Sequence, residues 1–232
     1  MKAKIVLAAA FALLSALPTL AQVTPVTPGC VKGTLESYIA LGAEGCIFDN
    51  VLYSNFTYAT PVVAGGTATE GNTPANIIVT PILLPTPTLF PGLNFSAVAT
   101  TATPGAWSVA AGQSEESVIG YLATPTELPA TLPASGTLIL DLGPSKILGI
   151  IGSVTVQETA IPVPPPATIT PAVTLSVYEI CEDACRIQQT EEVTIAPVEA
   201  LQTTIVVSLS GGNGGASLSS FASDYAIGPQ PE

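Results

Sequence analysis

Few residues in this chain could do chemistry. There is no histidine among its 232 residues, so Ser-His-Asp and Cys-His catalysis are excluded, and a histidine-based zinc centre with them. What is left is Cys30, Cys46, Cys181 and Cys185, together with 17 acidic side chains. A glycosidase needs two carboxylates flanking one bond. Asp141, Glu158 and Glu179 fall in strand-like stretches that could hold such groups firmly. No spacing pairs them, and solvated strand faces explain them more simply. Glu115-Glu116, Glu182-Asp183 and Glu191-Glu192 are acidic pairs without the Asp-x-Asp-x-Asp-Gly spacing of a dedicated calcium loop. Glu182 and Asp183 are the first place to look for a weak calcium site, and no other metal or cofactor is expected. Trp107, the one tryptophan, is the candidate sugar platform with Tyr121 near it. A lone tryptophan in a strand-rich chain is more often core, because aromatic rings bury large areas. Asn55-Phe56-Thr57 and Asn94-Phe95-Ser96 match the glycosylation sequon inside strand-like segments.

The compartment follows from the N-terminus. Lys2 and Lys4 precede an apolar run from Ile5 to Leu17, followed by Pro18 and a small-residue ending at Thr19 and Ala21. That is the pattern of a secretory signal peptide over 1–21, with cleavage after Ala21. The expected location is secreted, extracellular or periplasmic. No later stretch is long and apolar enough to span a bilayer as a helix. Without the leader, Lys32, Lys146 and Arg186 stand against 17 acidic residues, a net charge of roughly −14 that suits solubility outside the cell. Nucleic acid and anionic membrane surfaces are excluded as partners, since neutralising phosphates needs basic side chains.

In an oxidising compartment an even cysteine count reads as disulfides. Of the three possible pairings, Cys30 with Cys46 and Cys181 with Cys185 closes each loop locally, which costs least entropy. The first bridge spans a short helix: Thr34 is a natural N-cap, Leu35, Tyr38 and Ile39 have helical spacing, and Gly42 follows the end. Two turns of helix cannot stand alone in water. The second bridge requires a turn at Glu182-Asp183-Ala184, because on a straight strand its Cα atoms would lie about 13 Å apart.

The remaining chain reads as strands and turns. Phe48 to Tyr58 alternates as one half-buried strand, with Val51 and Tyr53 out of phase. Residues 59–74 are turn chemistry, expected to be a long exposed loop. A short strand over 76–80 is stopped by Pro81, and Pro81, Pro85, Pro87 and Pro91 suggest an extended path at a sheet edge before strand resumes at Gly92. Residues 106–110 and 117–123 suggest a hairpin. Residues 137–142 alternate, and 147–158 suggest a strand bent at Gly152. The run 161–166 reads as a polyproline-like crossover. Val173 to Cys181 reads as a strand whose disulfide-tied tip returns through Val193 and Ile195. Leu201 to Leu209 is the longest clean alternation. The run GGNGG is a turn, and the last strand, 216–227, carries a bulge near Ser219.

These roughly ten strands predict an all-β fold: an antiparallel two-layer β-sandwich, jelly-roll or immunoglobulin-like, with one short N-terminal helix. A single domain over 22–228 with a disordered tail at 229–232 is expected.

The leader, the Cys30–Cys46 opening with TLESYIALG and YSNFTY, then PGLNFSA, VIGYLA, SVTVQE and the closing SLSSFASDYAI together resemble exported bacterial proteins of the PEP-CTERM type. The resemblance runs from about Gly29 to Ile227. It implies an association with exopolysaccharide-producing Gram-negative bacteria. The sorting tail of such proteins, Pro-Glu-Pro followed by a transmembrane helix and a basic cluster, would begin where this sequence reads Gly228-Pro229-Gln230-Pro231-Glu232. The functional expectation is a non-catalytic exported surface or matrix protein whose partner is an extracellular polysaccharide or another exported protein. The alternatives are a carbohydrate-binding module and, behind it, a carboxylate-dependent glycoside hydrolase.

Overall fold

The computed structural model describes residues 27–65, 72–85, 89–98, 106–126, 135–163, 172–195 and 198–228. The leader, the polyproline-like run from 164 and the tail at 229–232 lie outside them. In chain order the elements are β1 (Gly33–Thr34), α1 (Leu35–Ala40), β2 (Cys46–Phe48), β3 (Val51–Ala64), a 3-10 turn (Pro74–Asn76), β4 (Ile77–Pro85), β5 (Leu89–Ala97), β6 (Ser108–Val109), β7 (Ser114–Pro125), β8 (Ser135–Leu142), β9 (Ser145–Ile147), β10 (Ile151–Val163), β11 (Val173–Glu182), β12 (Ala184–Gln188), β13 (Thr190–Ile195), β14 (Ala200–Ser210), β15 (Ala216–Leu218) and β16 (Ser220–Gly228).

A six-stranded sheet in the order β1-β4-β5-β16-β8-β13 faces a seven-stranded sheet in the order β12-β11-β10-β14-β7-β3-β2, and a small third sheet, β6-β15-β9, adjoins them. The named strands all pair antiparallel. This is the expected two-layer sandwich. The late strands β14 and β16 sit in the middle of their sheets, which is a jelly-roll feature, whereas the last strand of an immunoglobulin sheet is an edge.

One apolar core fills the space between the two large sheets. A file of aromatic rings runs through it: Tyr38, Phe56, Tyr121, Phe95, Phe221 and Trp107 follow one another at centroid distances of 5.0 to 6.3 Å. Each neighbouring pair adds to the burial of its apolar area. At the end of the file, α1 forms as its sequence dictates. The Thr34 hydroxyl accepts from Ser37 N at 3.1 Å, Leu35 and Tyr38 are buried, and Gly42 takes the left-handed conformation at φ 57°. The Tyr38 hydroxyl donates to Val31 O at 2.8 Å. Disulfides join Cys30 to Cys46, with Cα atoms 4.8 Å apart, and Cys181 to Cys185, the pairing expected from local closure.

Several local expectations are corrected. The alternation after Cys46 is not one strand: β2 turns at Asp49 and Asn50, with φ 46° and 65°, a hairpin turn needing two left-handed residues. Val51 and Tyr53 are nevertheless buried. A bulge between Ser54 and Thr57, with Asn55 at φ 54°, then moves the inward phase to Phe56. β3 continues to Ala64, so the first half of the expected loop is strand. Pro81 lies inside β4 rather than ending it. β1 pairs only with Ile78 and Val79, so beyond them, among the described residues, one side of β4 is an open edge that needs no donor from Pro81. The expected hairpin of 106–110 with 117–123 does not form, because β6 pairs with β15. The chain breaks between β9 and β10 ahead of Gly152. From the disulfide-tied tip the return strand is β12, while Val193 and Ile195 belong to β13 in the opposite sheet.

Candidate functional site

The sites proposed from sequence are placed separately. Trp107 is 0% exposed; its Nε1–H donates to the Ser117 hydroxyl at 3.0 Å, and its ring tilts against Phe221. That corrects Trp107 as a ligand platform, since no surface sugar can reach it. Glu182 and Asp183 are exposed at the hairpin tip, Asp183 at φ 69°. Among the described residues, the only grouping of three or more acidic or cysteine ligand atoms is Glu179 with Cys181 and Cys185. Both of those sulfurs are committed to the disulfide.

The three strand carboxylates do not face one another across a groove. Glu158 points into the core and is 1% exposed. Burial pushes its carboxyl up to about 7, with Ser223 beside it partly offsetting the push. Around it, the Tyr121 and Ser223 hydroxyls share a hydrogen bond of 2.7 Å across the two sheets, and Tyr53 Oη and both Glu158 oxygens have no hydrogen-bond partner. Asp141 lies on the other sheet, where its Oδ1 accepts from the Thr190 hydroxyl at 2.6 Å. Glu179 accepts from the Ser145 hydroxyl near the small sheet.

What the fold does assemble is a trough on the outer face of the seven-stranded sheet. Side chains alternate across a strand, and the core takes Val154, Val156, Leu175, Val177, Val207 and Leu209. Their neighbours therefore point out. The registers align these outward residues in transverse rows. One row runs Arg186, Ile180, Ser153, Ser210, Ser114, Ala64, and the next runs Gln188, Tyr178, Thr155, Ser208, Glu116.

Two hollows lie along these rows. One, of about 450 Å³, is lined by Ser114, Glu116, Ser153, Ser208 and Ser210, with Ala64 and the strand-end positions Glu115 and Leu209. The other, of about 190 Å³, is lined by Tyr178, Ile180, Glu182, Ala184 and Arg186. Ser153 of the first pairs directly with Ile180 of the second, so the two lie side by side on neighbouring strands. Six strands at the usual spacing give a length of roughly 24 Å.

The chemistry of the trough is hydroxyl-rich. Serines and Thr155 offer donors and acceptors, half-buried Tyr178 offers a ring, and the exposed Arg186 and Glu182 sit at one end with Glu116 towards the other. Behind that far end, Glu115 turns inward and is buried. Asn72 donates to it and accepts from the Tyr58 hydroxyl, and burial pushes its carboxyl up to about 7. Glu115 and Glu116, adjacent on β7, thus point to opposite faces. The other trough carboxylate, Glu182 on β11, is three strands from Glu116, at least about 14 Å at sheet spacing. This exceeds the roughly 5 to 9.5 Å that glycoside hydrolysis requires.

Tyr178, Arg186 and the serine rows were not singled out from sequence. The alternation of Thr174, Ser176 and Tyr178 was visible, but which residues stand beside them is a matter of register between distant strands.

No protein-family model matches the chain, and no curated protein matches it. Among solved structures it is similar to a family 61 carbohydrate-binding module in complex with β-1,4-galactotriose, at 13% identity over 73% of this chain and 88% of that one, TM-score 0.30. A module from the β-sandwich superfamily of carbohydrate-binding modules with promiscuous specificity is 12% identical over 87% of this chain and 62% of that one, TM-score 0.25. The family 11 carbohydrate-binding module from Clostridium thermocellum, in complex with a β-1,3-1,4-mixed-linked tetrasaccharide, is 6% identical over 88% of this chain and all of that one, TM-score 0.25. At these identities and scores the likeness carries no information about a ligand.

Proposed function

We propose that the protein is a non-catalytic exported surface or matrix protein that holds extracellular polysaccharide in the trough across its seven-stranded sheet. The observation that carries this is the adjacency of the two hollows along shared rows, which lines up a long, open, hydroxyl-bearing surface rather than a closed pocket. A polymer can lie across such a surface without its ends being recognised. Serine and threonine hydroxyls can exchange hydrogen bonds with sugar hydroxyls, and Tyr178 can pack an apolar sugar face. The separation of Glu116 from Glu182, and the opposite directions of Glu115 and Glu116, support binding without hydrolysis. The leader and the resemblance to PEP-CTERM-type proteins support export into a polysaccharide-rich setting.

A glycan array probed with the mature, oxidised protein tests the reading. Retention of one class of polymeric glycan, lost in Tyr178→Ala and in Arg186→Ala, is expected. Retention of no glycan, or retention unaffected by either variant, counts against it.

A further inference from the structure

The two hollows of the trough differ in chemistry. The larger is lined by four serines with Glu116 and Ala64, a setting that sugar hydroxyls suit. The smaller, of about 190 Å³, brings Tyr178, Ile180 and Ala184 together with Glu182 and Arg186. Hydroxyl groups alone leave that second set without a counterpart. Aliphatic side chains, a guanidinium and a carboxylate in one hollow match a ligand group that has an apolar part, an acceptor and a donor.

The registers fix the layout. Ile180 of β11 pairs with Arg186 of β12, and Glu182, two residues along β11 on the same outward face, pairs with Ala184. The four side chains therefore stand at the corners of a square, with Ile180 and Ala184 on one diagonal and Arg186 and Glu182 on the other. Directly paired side chains lie about 4.5 to 5.5 Å apart and diagonal ones about 7 to 8 Å. Tyr178 flanks Ile180 along β11, Ser153 pairs with Ile180 from the trough side, and Ile151, itself exposed, pairs with Glu182. Ile180 and Tyr178 are half-buried while Arg186 and Glu182 are exposed. The apolar side chains thus form a floor and the charged groups its rim.

A secondary amide fits this square. Its oxygen accepts and its N–H donates, and in the trans form the two point to opposite edges. Arg186 can donate to the oxygen while Glu182 accepts from the N–H, and the charge strengthens both bonds. The long axis of the amide then follows the aliphatic diagonal. Its methyl group rests against Ala184, and the sugar that carries it lies over Ile180 and Tyr178 and continues towards Ser153.

We propose that the smaller hollow is a subsite for an acetamido group, so that the polymer taken by the trough is built from N-acetylated amino sugars. The inference rests on the polysaccharide reading and adds the substituent that is selected. A free amino group in the same place would meet the Arg186 cation, a uronate would meet Glu182, and a hydroxyl would leave the aliphatic floor uncovered.

The polymers retained on the glycan array by the mature, oxidised protein should carry acetamido groups. Each is then titrated calorimetrically before and after alkaline removal of its acetyl groups, in about 0.15 M salt, where charges more than about 8 Å away are screened. Wild type should bind the acetylated form at least about tenfold more tightly, the low end of what one methylene in an apolar pocket supplies. Ile180→Ser and Glu182→Met should each bring that ratio close to one. The ratio is taken on one protein sample, so a partly unfolded fraction cancels. Retention only of polymers without acetamido groups, or a wild-type ratio of one or below, overturns the inference and leaves the polysaccharide reading standing. A ratio that keeps its wild-type value in both variants overturns the hollow as the subsite. Retention of no polymer overturns both.

Discussion

Replacing Glu158 by glutamine should remove a pH dependence built into the core. Unfolded, the carboxyl titrates near 4.5; folded, burial moves it to about 7. Folding therefore favours the protonated form. The stability it contributes is fully present below the unfolded value and falls as pH rises from about 4.5 through 7, levelling off above. The difference is worth on the order of 3 kcal/mol, or roughly 6 to 12 °C in melting temperature for a chain of this size. Glutamine keeps the shape of the protonated acid but cannot ionise. Urea denaturation of wild type and Glu158→Gln at pH 5, 7 and 8.5 should give stabilities within about 1 kcal/mol at pH 5 and an advantage for the variant that grows to about 3 kcal/mol at pH 7 and stays level to pH 8.5. Glu115, pushed up to about 7 as well, adds to the slope in both proteins, so the comparison isolates Glu158. A wild-type stability that is flat or rises between pH 5 and 8.5, or a variant that follows the same slope as wild type, would refute the reasoning.

Two further outcomes follow from the core and the bridges. Trp107→Ala should cost about 3 to 5 kcal/mol in denaturant unfolding, and in wild type its fluorescence should be blue-shifted and shielded from acrylamide, whereas Trp107→Phe should bind any trough ligand as wild type does. Removing the Cys30–Cys46 bridge as a double serine variant should cost about 3 kcal/mol and removing Cys181–Cys185 about 2, with non-reducing peptide mapping of wild type recovering only those two crosslinks.

The parts of this fold that were legible in the sequence are those decided within a few residues. Thr34, Leu35, Tyr38 and Gly42 define α1 by capping and spacing, local closure pairs the cysteines, and the alternation from Leu201 to Leu209 marks β14. What was not legible depends on distant partners. Pro81 is a strand breaker unless the strand it interrupts has an open side, which β1 provides by being only two residues long. Asn55 disguises the phase of β3 because a left-handed non-glycine residue gives no firm signal in sequence. Val193 and Ile195 alternate as a return strand would, yet cross to the other sheet. The trough shares this limit. Tyr178, Ser153, Ser208 and Glu116 come from β11, β10, β14 and β7, and only their register makes them neighbours.

The most direct test of the polysaccharide reading is the affinity of wild type and Tyr178→Ala for a glycan retained on the array, measured by calorimetry, with hydrogen exchange recorded on the wild-type complex. Affinity at least about tenfold weaker in the variant, the scale of losing one aromatic anchor, together with protection confined to β10, β11, β12, β14 and β7, is the expected result. Equal affinities, or protection that falls on β5, β8 and β16 of the opposite sheet, would contradict it.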